Sequence, residues 1–224
     1  MTTTVRNFQA ATYQFRDRYF TLPGDFNNGS GVWGTNCSTV AADCNGTGDG
    51  KIAEIAGSAY TKEYLLFWQH LALAGLIEGK YNGTKNGTQT SMGTSGLTAG
   101  SDVPLMAYNR SSMIVDSNAS FTDCYNMSLL FPPITMPSVT CKDSYAFIVS
   151  KPTTTGKGIT SVYGGGTIKA EDAWNIDVKA DDGLPDTGKI TASQGYGESA
   201  GSCSSAGAYS LASSTQSCVM AFLP

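Results

Sequence analysis

The chemistry that stands out first in this 224-residue chain is a run of oxygen-bearing side chains at alternate positions. Asn45, Thr47 and Asp49 are two apart, Gly50 follows, and Lys51 comes next with its backbone carbonyl. This is how an EF-hand calcium loop opens, with alternate oxygens turned inward and a glycine at the sharp turn. Such a loop closes on a bidentate Glu at its twelfth position; Ala56 stands there, and Glu54 lies two residues early. Asn45, Thr47, Asp49, Lys51 and Glu54 are therefore the candidate ligands of at most a partial calcium site, and calcium is the one cofactor the sequence suggests. The competing expectation is a Gly-rich turn in which Asp49 caps the helix that follows.

A second group of carboxylates, Asp177, Asp181, Asp182 and Asp186, surrounds Asp182-Gly183 and Pro185-Asp186, which are turn dipeptides first and calcium ligands second. His70 is the only histidine. It falls in an apolar stretch with no evident nucleophile or acid beside it, so a hydrogen-bonded structural histidine is expected. No G-x-S-x-G, Walker A or H-E-x-x-H motif occurs. Of the tryptophans, Trp68 reads as core and Trp33 as the one to watch for sugar stacking or subunit contact. These residues predict a protein that is not an enzyme.

Six cysteines fall into sequence-local pairs, Cys37 with Cys44, Cys124 with Cys141, and Cys203 with Cys218, each bracketing a loop rich in Gly, Asn and Ser. With no C-x-x-C and a single histidine, a zinc site is not expected. Disulfides and an oxidising compartment are, with nearest neighbours as the favoured pairing among the 15 that six cysteines permit. Net charge is -4 without a basic stripe, which argues against nucleic-acid binding. Eight Asn-x-Ser/Thr sequons begin at Asn28, Asn36, Asn45, Asn82, Asn86, Asn109, Asn118 and Asn126, as a chain rich in these residues produces by chance.

The elements that must position these groups divide into an α part and a β part. Val5, Phe8, Thr12, Phe15 and Tyr19 recur at helical spacing and predict a packing stripe on a helix that Leu22-Pro23-Gly24 stops. A loop follows over 23–60, with Trp33 and a Cys37–Cys44 bridge to tie it down. Residues 61–79 predict a second helix, apolar almost all round, buried between the first helix and a sheet, with Gly79 as its stop. From residue 80 to 224 the pattern is β-rich, with strands expected over 102–109, 112–117, 128–136, 144–151, 158–164, 173–180 and 218–224. The expectation is one α+β domain over 1–224: two N-terminal helices packed on a mostly antiparallel sheet.

The order of these patches resembles the bacterial type IV pilin and type II secretion pseudopilin superfamily, in particular prepilin-type proteins with a large C-terminal globular domain. Phe15, Tyr19 and Leu22-Pro23-Gly24-Asp25 look like the exit from the long pilin helix. Gly48-Asp49-Gly50-Lys51-Ile52 is similar to the Gly-Asp-Gly loop that follows it. Trp68 to Ile77, WQHLALAGLI, resembles that group's second helix. Ile176 to Gly188, IDVKADDGLPDTG, resembles its late turn, and the Cys203–Cys218 segment its C-terminal cysteine-bounded loop. The resemblance implies a pilin-like fold and a non-catalytic filament subunit. Its partners would be other copies of itself, other pilins and an inner-membrane assembly machinery, with Val5, Phe8, Phe15 and Tyr19 on a packing and assembly face. It implies the inner membrane before assembly, and the periplasm or an extracellular filament afterwards. The family's cleaved leader, its Phe with a Glu five residues in, and its roughly twenty apolar residues are not in this sequence, so the helix is expected to begin upstream. The rival expectation is a secreted or pilus-tip adhesin that recognises glycans through the 24–50 and 80–101 loops.

Overall fold

The computed structural model describes residues 1–52, 63–83, 97–116, 145–151, 165–195 and 197–224. Helix α1 (Thr2–Tyr19) buries Val5, Ala11, Thr12 and Phe15 and packs Phe8 and Tyr19 against the same core, so the five-residue stripe is its inner face. Its first turn carries neither a capping side chain nor an acidic residue. Phe20 ends it in the left-handed region, with its N–H on the Arg16 carbonyl. Gly24 is then needed for a close approach. At φ +87°, a Cβ there would lie 2.3 Å from the Glu63 carbonyl oxygen.

The 24–50 segment, expected as irregular loop, contains a short helix α2 (Gly29–Trp33) and 3-10 turns at Gly34–Asn36 and Ala41–Asp43. The expected Cys37–Cys44 disulfide closes it. Trp33 packs 5.6 Å from Tyr19, 5.6 Å from Phe26 and 5.1 Å from His70, ring centre to ring centre, and so serves as an anchor for the segment.

Helix α3 (Glu63–Leu73) is buried at every residue from Glu63 to Leu71. It packs against both α1 and the sheet: Trp68 meets Phe8 at 5.0 Å and Phe147 at 5.9 Å, and Phe8 itself reaches Phe147 at 6.4 Å. It ends sooner than the expected residue 79. Gly75, at φ 72°, donates to the Ala72 carbonyl and Leu76 donates to Leu71. This is the paired closure by which a left-handed glycine satisfies the last carbonyls of a helix.

The sheet contains β1 (Ser112–Asp116), β2 (Ala146–Ser150), β3 (Ile190–Gln194) and β6 (Cys218–Phe222) in the order β1-β2-β6-β3, every pair antiparallel. Phe147, Phe222 and Ile190 line up across it, as do Val149, Met220 and Ala192, and this face takes the helices. Ile114, Ile148, Ala221 and Thr191 form a row on the opposite face and are buried as well. A two-residue hairpin, β4 (Ser204–Ser205) with β5 (Ala208–Tyr209), sits within the loop closed by the Cys203–Cys218 disulfide.

Thus the α+β class with helices on an antiparallel sheet is observed among the described residues. Two strand expectations are corrected. Residues 173–180 belong to helix α4 (Ala170–Ala180). The alternation of Trp174, Ile176 and Val178 suggested a strand, but Trp174 and Val178 are exposed, and the buried set is Ala170, Ala173 and Asp177 at helical spacing. Glu171 and Asp172 in the first turn and Lys179 in the last also suit the helix dipole. Residues 102–109 make only isolated bridges and the start of a 3-10 turn at Tyr108–Arg110. The segments expected as strands over 128–136 and 158–164, together with Glu54, Cys124 and Cys141, lie outside the described residues.

Candidate functional site

The Gly-rich loop around Asp49 is organised from underneath by two buried carboxylates, Asp25 and Glu63. Asp25 is set just beyond α1 by Pro23-Gly24, and Glu63 opens α3; both are 1% exposed or less. The Oδ1 of Asp25 accepts the Asp49 N–H at 2.9 Å, and its Oδ2 accepts the Gly50 N–H at 3.0 Å and the Thr21 hydroxyl at 3.1 Å. The Asp25 carbonyl takes the Gly48 N–H at 3.0 Å. Glu63 accepts both the N–H and the hydroxyl of Thr47, at 2.7 and 2.9 Å. Burial raises the carboxyl pKa of Asp25, and these donors pull it back.

Three of the five expected calcium ligands are engaged with other partners. Asn45 Oδ1 accepts the Ser30 N–H at 2.8 Å, Thr47 bonds to Glu63, and Asp49 Oδ1 turns onto the Lys51 N–H at 3.0 Å. The carboxylates that do converge are Asp25, Asp49 and Glu63, with one oxygen of each within 4.8 Å of the others. Three carboxylates at that spacing could hold a divalent cation, in competition with the N–H groups they now accept. Asp25 and Glu63 were missed in the sequence because they stand 24 and 16 residues from their loop partners.

Asp177, Asp181 and Asp182 converge in the same way. Asp177 accepts the Tyr209 hydroxyl at 2.7 Å and the Gly183 N–H at 3.1 Å. Asp181 accepts the N–H groups of Lys189 and Ile190, and Asp182 those of Leu184 and the Thr187 hydroxyl. Asp177 thus holds the 181–190 turn to α4 through Gly183, Asp181 and Asp182 close the turn on itself, and Tyr209 ties α4 to the Cys203–Cys218 loop.

His70 is fully buried and spans two loops. Its Nδ1 accepts the Gly24 N–H at 3.0 Å, and its Nε2 lies 2.9 Å from the Cys44 carbonyl. A carbonyl can only accept, so the proton is on Nε2 and the ring is neutral. Burial lowers its pKa to about 4, with the Cys44 bond opposing. Cys37 and Cys44 lie close enough to His70 to form a metal triad, but their sulfurs are spent in the disulfide. Gln69, the neighbouring buried polar residue on α3, donates to the carbonyls of Cys37 and Asn82 at 2.9 and 3.2 Å.

Beside the carboxylate-pinned loop a cleft of about 470 Å³ opens, lined by Arg16, Tyr19, Phe20, Thr21, Asn27 and Gly48 among others. Phe20, on its lip, is 92% exposed. No protein-family model matches this chain, and no similar curated protein or solved structure was found.

Proposed function

We propose that this chain is the globular part of a non-catalytic filament subunit of the pilin or pseudopilin kind. The observation that carries the reading is the outer face of α1. Opposite the buried stripe, Arg6, Ala10, Tyr13 and Asp17 follow one another at steps of four, three and four, and all are exposed. A helix that buries one face in its own domain and leaves the opposite face open, apolar at Ala10 and Tyr13, has a surface for packing against further helices. Copies meeting through unlike faces build an open filament where the rotation between them does not close into a ring. Disulfides and pinned loops suit a domain held outside the cell, and the α+β architecture, with a helix laid on an antiparallel sheet, is compatible with the proposal.

On this reading the protein is held in the inner membrane until an assembly machinery transfers it to a periplasmic or extracellular filament, its partners being copies of itself or related subunits. No helix among the described residues is long and apolar enough to cross a membrane, so the proposal requires α1 to run on ahead of Thr2. The source gene tests it. Upstream codons for a short basic leader, a Gly cleavage site, a Phe with Glu five residues on, and about twenty apolar residues are the expected result. A gene that starts at Met1, or that encodes an ordinary cleaved signal peptide, would end the proposal.

A further inference from the structure

The cleft beside the Asp25 loop has one wall that folding alone does not explain. Phe20 adopts φ 58° and leaves its ring 92% exposed. The left-handed conformation costs a non-glycine residue about 1–2 kcal/mol, and glycine is the usual residue at this position past a helix end. A strained, exposed aromatic at a concave site points to a ligand. The wall behind it is firm: Tyr19 packs 4.4 Å from Phe15 and 5.2 Å from Phe26, and the Arg18 guanidinium lies 5.2 Å over its ring.

The polar lining narrows the class of ligand. The backbone N–H groups that would cradle an anion, those of Gly48 and Gly50, go to Asp25, which leaves the Arg16 side chain as the one cationic donor in the lining, able to serve a hydroxyl oxygen as well as an anion. A cation would meet the Arg16 guanidinium in the lining, and Asp25 beneath is buried, its carboxylate filled by the loop. A neutral polyhydroxyl ligand has what remains. The exposed Asn27 amide can donate and accept. The Thr21 hydroxyl, which donates to Asp25, keeps its lone pairs as acceptors. Asn27 is held over Gly48, where a Cβ would lie 2.7 Å from the amide nitrogen. The volume, about 470 Å³, falls in the small-ligand range of roughly 300–1,000 Å³.

We propose that this cleft binds a neutral sugar residue, with the apolar face of its ring on Phe20 and its hydroxyl groups on Asn27 and Thr21. This goes beyond the filament reading and does not depend on it, because the cleft lies within one copy of the chain. Amide-resolved NMR of this chain tests it, with methyl glycosides of glucose, galactose, mannose and N-acetylglucosamine added to about 50 mM, enough to saturate a millimolar site. At least one glycoside should give saturable shifts confined to residues 16–27 and 48–50. Phe20→Ala and Asn27→Ala should each weaken it about tenfold, and Phe20→Tyr should keep it. Circular dichroism should be unchanged in all three variants, because both side chains are exposed. The proposal is overturned if no glycoside saturates or if Phe20→Ala binds as tightly as the parent. It is equally overturned if inorganic phosphate or choline occupies the cleft in place of sugar, or if Phe20→Ala alters only self-association.

Discussion

Acid should weaken this protein through His70, and the size of the effect follows from the site. The ring is neutral, donates from Nε2 to Cys44 and accepts Gly24 at Nδ1. Protonation would set a second N–H against the Gly24 N–H in a fully buried place. The pKa is about 4 in the fold against 6.5 for an ordinary histidine. The unfolded chain thus takes up the proton first as pH falls. Stability from this group is complete above 6.5, declines between 6.5 and 4, and is exhausted below. At about 1.4 kcal/mol per pH unit, the full loss is about 3 kcal/mol, of which about 2.5 kcal/mol has gone by pH 4.5.

Burial raises the carboxyl pKa of Asp25 and of Asp177, and these two act with the opposite sign, taking up protons in the fold before the unfolded chain does. The comparison must therefore be with His70→Gln, which keeps both aspartates. Urea unfolding at pH 7.5 should show the variant weaker by about 1–3 kcal/mol, because the geometry of at least one bond is lost. At pH 4.5 the parent should have lost about 2.5 kcal/mol more than the variant since pH 7.5, or some 5–10 °C in Tm for a domain of this size. As the only histidine in the chain, His70 can also be followed directly by NMR. A titration midpoint near 6.5, or equal acid losses in parent and variant, would refute the buried neutral ring.

The other expectations concern the loops that α1, α3 and α4 hold. Replacing Cys37 and Cys44 together by Ala should cost about 2.5 kcal/mol, and Cys203 with Cys218 about 3 kcal/mol, read from urea midpoints, since the second bridge closes the longer loop. Asp25→Ala should cost about 2–3 kcal/mol by stranding the N–H groups of Asp49 and Gly50, and hydrogen exchange at those two amides should accelerate. Calcium at about 2 mM should move Tm by less than about 1 °C, because Asp25, Asp49 and Glu63 already accept hydrogen bonds. A larger rise that Asp49→Asn abolishes would mean that the cation displaces those donors. Phe20→Gly should raise Tm by about 2–4 °C by relieving the left-handed strain, while removing the proposed sugar platform; an unchanged or lower Tm would mean the strain is not there.

The apolar framework was legible in the sequence because a single period decides it. The α1 stripe, the core of α3, the edges of β1, β2 and β6, and the described cysteine pairs all came from local spacing. Helix α4 was misread for a local reason too. Its inner face is made of Ala170, Ala173 and the polar Asp177, so its exposed Trp174 and Val178 carried the stronger apolar signal. Strand β3 escaped because Thr191 and Ser193 are buried polar residues that read as loop.

The polar side chains of α3 were beyond reach for a different reason. Glu63, Gln69 and His70 look like interruptions of an apolar helix, yet each holds backbone 13 to 46 residues away in sequence. Leaving such a group unpaired costs about 1–3 kcal/mol, and in a helix buried at nine consecutive residues, Glu63 to Leu71, these three polar side chains are met by returning loops, while the Trp68 indole N–H goes without a partner among the described residues. Spacing could mark His70 as structural but could not say which loop it holds. The same reasoning separates the two kinds of polar residue here. Those beneath the 45–50 loop are satisfied by the chain itself and need no ligand to explain them. Phe20 and Asn27, on its rim, are left facing water by the fold, and a function for this face must be sought with them.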